Sequence, residues 1–252
     1  MLKVFIVIPA RMASTRLPNK PLIDIAGTSL IMRVYNQACK VRNATDVIVA
    51  TDHEDIFNHV IENGGKAWMT HVNHPSGTDR IAEVARSLEA DFYINVQGDE
   101  PLINPIQIET LIDKMIEKNL DIGTQCAPIT DIDAIFNENV VKVVRNNNEM
   151  ALYFSRQAIP AVRDKPYRLW SDETVYFRHI GIYGFKRNAL LEIAALPPGK
   201  LENLEKLEQL RWMEHGYKVN CYETEFTSLG VDTEEDVALV LESIIKSQFE
   251  WK

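Results

Sequence analysis

VFIVIPARMASTRLPNKPL, Val4 to Leu22, decides how this chain is read. Val4 to Pro9 is a continuous apolar run rich in β-branched residues, the pattern of a strand covered on both faces. Pro9, Pro18 and Pro21 then break the chain, so the rest of the stretch is an irregular loop and not a helix. Into that loop, at the carboxyl end of the first strand, fall three cations: Arg11, Arg16 and Lys20.

The runs DVIVATD (Asp46 to Asp52) and DFYINVQGDE (Asp91 to Glu100) repeat the strand pattern. Between and after the strands lie stretches with helical spacing: SLIMRVYNQACKV, with Leu30, Ile31, Val34, Tyr35, Ala38 and Val41 on one face; EDIFNHVIENGG; GTDRIAEVARSLEA; and PIQIETLIDKMIEKN. Alternating strands and helices define an α/β fold with a mostly parallel central sheet and helices on both faces. The later sequence changes character. VVKVV (Val140 to Val144), ALYFS (Ala151 to Ser155) and HIGIYGF (His179 to Phe185) read as strands with shorter connections. A turn at Pro197, Pro198 and Gly199 then leads into one helix carrying Leu204, Leu207, Glu208, Leu210, Arg211 and Met213. Thr233 caps the last helix, with Asp236 at the capping-box position. No repeat or long linker divides the chain, so residues 1–252 are expected to form a single domain with a smaller embedded substrate or dimer subregion.

Composition narrows the function. With 252 residues, 46% hydrophobic and 25% charged, the chain has the make-up of a globular protein. A net charge of -9 argues against a nucleic-acid partner, which requires a basic surface. The start lacks the pattern of a secretory signal, and no stretch approaches the roughly 20 apolar residues of a membrane span, so a cytoplasmic location is expected. Cys39, Cys126 and Cys221 form no CxxC pair and are expected to be buried free thiols.

The cations need an explanation in an acidic chain. In an open α/β sheet, ligands bind beyond the carboxyl ends of the strands. Neither GxGxxG nor GxxxxGK[ST] is present, so a phosphate group here would be held by side-chain charge and not by a glycine-rich loop. That missing glycine fingerprint also disfavours a dehydrogenase. A nucleoside triphosphate carries about four negative charges, and phosphoryl chemistry is catalysed mainly by positioning and charge neutralisation. NVQGDEP (Asn95 to Pro101) delivers Gln97, Gly98, Asp99 and Glu100 to the same sheet edge. Asp99, with Asp232 of GVDTEED, supplies the carboxylate oxygens that Mg²⁺ prefers alongside substrate phosphates.

PARMASTRLPNKPL, VATDHEDI, SGTDRIAE, NVQGDEPLI, ALYFSRQAIP, RHIGIYGF, LEKLEQLR and GVDTEEDV, taken in order, closely resemble the 3-deoxy-manno-octulosonate (Kdo) cytidylyltransferase family, the CMP-Kdo synthetases of bacterial lipopolysaccharide assembly. The resemblance covers essentially the whole chain. It departs in the first loop at Met12 and Asn19, which flank the cations without replacing them, and the loop from Asp164 to Thr174 is variable in character. It implies a Rossmann-like nucleotidyltransferase fold and a homodimer that uses CTP, Kdo and Mg²⁺. Residue by residue, it implies that Arg11, Arg16 and Lys20 hold the nucleotide phosphates, that Ala50, Asp52, Ser76, Gly77 and Arg80 line the cytidine pocket, and that Pro9, Ala10 and Asp99 also belong to the nucleotide-binding set. Asp99 and Asp232 are the implied Mg²⁺ ligands. Arg11, Arg16, Lys20, Asp99 and Asp232 are the implied catalytic set. Gln97, Arg156, Arg163, His179, Tyr183, Glu208 and Gln209 are the implied contacts to the sugar acid.

The residue types suit those roles. Arginines pair with carboxylate through charge-assisted hydrogen bonds, and His, Glu and Gln serve sugar hydroxyls. His179, Gly181 and Tyr183 are expected on one face of their strand. Other readings stay open at this point: the same reaction on 8-amino-3,8-dideoxy-manno-octulosonate, CMP-sialate synthesis, or a non-catalytic CTP-binding homologue.

Overall fold

The structure is a computed structural model that describes residues 2–13 and 16–249. The chain forms two compact units: Met1–Asp113 with Ser228–Lys252, and Lys114–Thr227. The second is inserted in sequence within the first.

The first unit is built on four parallel strands. β1 (Val4–Ala10) lies between β2 (Asp46–Thr51) and β4 (Phe92–Asn95), and β3 (Ala67–Met69) pairs outside β2. Pro9 pairs with Ala50 and Val7 with Asn95, so the strands end close together and the loops that follow them gather at one edge. Continuous burial of Ile6, Val7 and Ile8 explains the unbroken apolar run in the sequence. α1 (Leu30–Ala38), α2 (Glu54–Glu62) and α3 (Gly77–Ser87) follow as their spacing predicts. Leu30, Ile31, Val34, Tyr35 and Ala38 are all buried, as one apolar helix face requires. α4 (Pro105–Glu117) forms where PIQIETLIDKMIEKN places it.

Two features of this unit position the site. Leu17, Ile25 and Leu30 pack with Val231, Val240 and Ile244 of the C-terminal segment in one buried cluster. The first loop and the helix Glu234–Phe249 are thereby held side by side. That helix starts as expected: Thr233 Oγ1 accepts from Asp236 N at 3.3 Å, and Asp236 accepts from the backbone N–H groups of Thr233 and Asp232 at 2.9 Å each. Asn19, where the resembled family often has glycine, takes a left-handed backbone (φ 54), which asparagine tolerates better than most residues.

The second unit carries β5 (Ile122–Pro128), β6 (Lys142–Arg145), β7 (Ala151–Ser155), β8 (Phe177–Lys186) and β9 (Asn220–Glu223), ordered β9–β5–β8–β6–β7. β9 runs parallel to β5; the other pairs are antiparallel. One of its buried clusters gathers Ile135, Trp170 and Tyr176.

Three sequence expectations change. The segment after Gly199 is two helices, Lys200–Glu205 and Gln209–Glu214, and not one. Lys206 turns left-handed (φ 54) and its N–H returns to Glu202 O, which ends the first helix. β8 slips register against β5 between Ile180 and Tyr183, so simple alternation fails and Ile182 and Tyr183 are both buried. Of the three thiols, Cys126 and Cys221 are buried, but Cys39, just past the end of α1, is exposed.

Candidate active site

A cleft of about 430 Å³ opens at the carboxyl edge of the first unit's sheet. Pro9, Ala10, Arg11, Arg16, Lys20, Gly77, Gln97, Asp99 and Asp232 line it. Nine of the residues expected to serve nucleotide, metal or sugar therefore meet around one cavity. Gly98 lines it as well, and there a side chain is excluded: a Cβ would come within 2.9 Å of the Pro9 carbonyl oxygen. The strand ends are thus packed backbone to backbone beneath the cleft.

Its charges are interlocked. Lys20 Nζ donates to Asp99 Oδ2 and to Asp232 Oδ1, both at 2.8 Å. Arg16 Nη2 donates to the other oxygen of Asp232 at 2.9 Å. Main-chain geometry fixes the two carboxylates relative to each other, because Val231 N donates to Asp99 O at 2.9 Å. Burial alone would lower the Lys20 pKa, but the two facing carboxylates outweigh it and hold the ammonium above its ordinary value. Lys20 is therefore a firm cation across the physiological range. Arg11 is held differently: its guanidinium donates to the His74 carbonyl. His74 Nε2 and the His71 N–H in turn both meet Glu83 of α3. This link to Arg11 was missed by sequence reasoning, because it runs through a backbone carbonyl that no side-chain pattern announces. Ala13 and Pro21 also line the cleft; as small apolar residues they carry no sequence signal of a binding role.

The other expected cytidine residues lie beside the cleft and do not line it. Arg80 is fully buried; it donates to Asp52 Oδ2 at 3.0 Å and to Thr70 Oγ1. It ties α3 to the end of β2 and to the residue after β3. Ala50 is buried inside β2. Ser76 caps α3, accepting from Asp79 N at 3.2 Å.

In the second unit, His179 Nε2 meets Thr124 Oγ1 at 3.0 Å, and its ring lies 5.3 Å from that of Tyr183. Part of the His179 residue remains solvent-accessible, yet its imidazole is closely surrounded. Burial pushes its pKa down to about 3, so it is neutral at physiological pH. Burial, with the Glu208 carboxylate adding to it, pushes the Tyr183 phenol well above its usual range. The Tyr183 hydroxyl is buried with no hydrogen-bond partner among the described residues, and the same holds for Trp212 Nε1, whose ring lies 5.1 Å from that of Tyr183. A buried hydroxyl in that state suits a ligand with hydroxyl groups of its own. Trp212 is an addition to the sequence-derived set; it lies in LEQLRWMEHG, in the helix that Gln209 begins. Glu208 stands at that helix's N-cap, and Gln209 is buried. Arg156 already serves the protein: Nε donates to Glu205 O at 2.7 Å and Nη1 to Glu138 O at 3.0 Å. Arg163 is almost fully exposed and pairs with the adjacent Asp164 at 3.4 Å. The structure therefore brings His179, Tyr183 and Glu208 together.

Fold and cleft define a nucleotidyltransferase, and comparison with known proteins agrees. The cytidylyltransferase family model matches residues 5–221. A 3-deoxy-manno-octulosonate cytidylyltransferase of Trichlorobacter lovleyi is 45% identical, covering 94% of this chain and 96% of its own length. That of Chloroherpeton thalassium is 47% identical, covering 95% and 96%. A CMP:2-keto-3-deoxy-manno-octonic acid synthetase solved in complex with CTP superimposes with a TM-score of 0.91 at 41% identity, over 97% of this chain and 99% of that one. A Bacillus anthracis putative glucose-1-phosphate thymidylyltransferase, 14% identical with a TM-score of 0.66, shares the fold. This chain belongs to the 3-deoxy-manno-octulosonate cytidylyltransferase family.

Proposed function

We propose that the protein transfers CMP from CTP to Kdo, forming CMP-Kdo and pyrophosphate. The observation that carries this reading is the cleft in which Lys20 joins Asp99 to Asp232 beside Arg11 and Arg16, in a chain 45% identical to a relative named for that reaction. Arg11, Arg16 and Lys20 bind the triphosphate and neutralise charge that builds on the departing pyrophosphate. The C2 hydroxyl of Kdo attacks the α-phosphorus in line. In the second unit, His179, Tyr183, Glu208, Gln209, Arg156 and Arg163 are the residues assigned to the sugar acid. His179, held neutral, accepts or donates single hydrogen bonds and contributes no charge.

The residues present fit Mg²⁺. No group of three or more His, Cys, Asp or Glu suited to a metal occurs among the described residues, but two hard carboxylates converge on one cation-sized point. Mg²⁺ commonly takes one or two carboxylates, with waters and substrate phosphates completing the shell. Bound there, it would supply charge stabilisation at the α-phosphate and lower the pKa of the attacking hydroxyl. We take the working protein to be a cytoplasmic homodimer. No helix among the described residues is long and apolar enough to cross a membrane. Asp99→Asn tests the reading: turnover should fall at least about 100-fold, the scale of losing one preorganised electrostatic group. CMP-Kdo formation at a near-normal rate would contradict it.

A further inference from the structure

We propose that Lys20 is an internal counter-cation, whose ammonium occupies the point between Asp99 and Asp232 where a divalent cation would sit, so that metal and nucleotide binding are coupled through this one side chain. The inference rests on the nucleotide reading above and adds an order of events to it.

The geometry leaves little freedom at that point. Nζ is 2.8 Å from each carboxylate, and the Lys20 side chain is only 14% exposed. Its stem is fixed by a short turn in which Leu22 N donates to Asn19 O at 2.9 Å and Pro21 is buried. Asp232 spends its second oxygen on Arg16. Two further acids are engaged elsewhere: Asp236 by the backbone at the start of its helix, and Glu100 by Ser228 Oγ. A divalent cation approaching the nucleotide-free chain therefore meets carboxylates already neutralised, with a positive charge at their centre, and at such distances like charges repel strongly in a half-buried site. A triphosphate changes the balance. It offers Lys20 a stronger anionic partner, and the ammonium's three donors can turn to phosphate while both carboxylates turn to the metal. Each ligand then favours the other, as linkage requires.

Titrating the full chain with Mn²⁺, read by electron paramagnetic resonance, tests this. Wild type and Lys20→Met are compared with and without α,β-methylene CTP, corrected for Mn²⁺ held by the free analogue. Without nucleotide, Lys20→Met should bind Mn²⁺ at least about tenfold tighter than wild type, and the tightening produced by the analogue should shrink by a similar factor. Lys20→Gln, which keeps a polar but neutral side chain, should behave the same way and serves if the methionine variant unfolds. Equal or weaker Mn²⁺ binding by folded neutral variants without nucleotide overturns the proposal. Failure of wild type to bind the analogue at all overturns the nucleotide reading instead, and is seen separately in the same titration.

Discussion

At the scale of single residues, buried charge is placed where it organises the backbone. Lys142 is fully buried, and its ammonium donates to the carbonyls of Asn137, Val140 and Arg156. Burial first, and the nearby Arg156 charge second, push its pKa below the ordinary lysine value. Lys142→Met would strand three carbonyls, and we expect a loss of about 3 kcal/mol in urea unfolding. A loss below about 1 kcal/mol would show that these bonds are replaced by others. His179 makes a pH prediction. Its folded pKa is about 3 and its unfolded value 6.5. Between the two, the unfolded chain binds more protons, so stability is intact above 6.5 and falls as pH drops through that window. Between pH 6.5 and pH 5 the contribution is about 1–2 kcal/mol. His179→Gln should flatten this part of the stability–pH curve; an unchanged slope would contradict a neutral, buried imidazole.

At the scale of elements, the strand ends of the first unit were the most legible part of the sequence. The run Val4–Pro9 and the acid-ended NVQGDEP each carried both the strand and the chemistry at its tip. Gly98 is the joint between them. Gly98→Ala puts a methyl 2.9 Å from the Pro9 carbonyl, a backbone atom that cannot swing aside. We expect CTP binding to weaken at least about tenfold by calorimetry, since both residues line the cleft; unchanged affinity would show that the joint yields freely. β5 and β9 were illegible. Thr124 and Gln125 interrupt the apolar pattern of IGTQCAP, yet both are fully buried. Thr124 is there for a structural reason: its hydroxyl donates to Ile182 O at 2.7 Å, a carbonyl in the stretch where β8 slips register. The break at Lys206 was equally hidden, because a left-handed lysine carries no sequence signal.

For the whole molecule, the net charge of -9 and the cationic cleft act at different ranges. Charges beyond about 10 Å are screened at ordinary ionic strength, so a triphosphate at the cleft responds chiefly to the charges gathered there, the cations Arg11, Arg16 and Lys20 with Asp99 and Asp232, and not to the net charge of the chain. Residue chemistry pointed to Arg11, Arg16, Lys20, Asp99 and Asp232, which the structure gathers at one cleft, whereas Ala50, Asp52, Ser76 and Arg80 rested on resemblance and do not line it. The sugar-acid residues rested on resemblance, because His179 and Tyr183 look in sequence like ordinary core side chains, as does Trp212, which the resemblance did not point to. The most direct measurement of the central claim mixes the protein with CTP, Mg²⁺ and Kdo and follows pyrophosphate and CMP-Kdo together by phosphorus NMR. Equal amounts of both products, appearing only when Kdo is present, are predicted. CTP bound without pyrophosphate release, or pyrophosphate formed without CMP-Kdo, would contradict it.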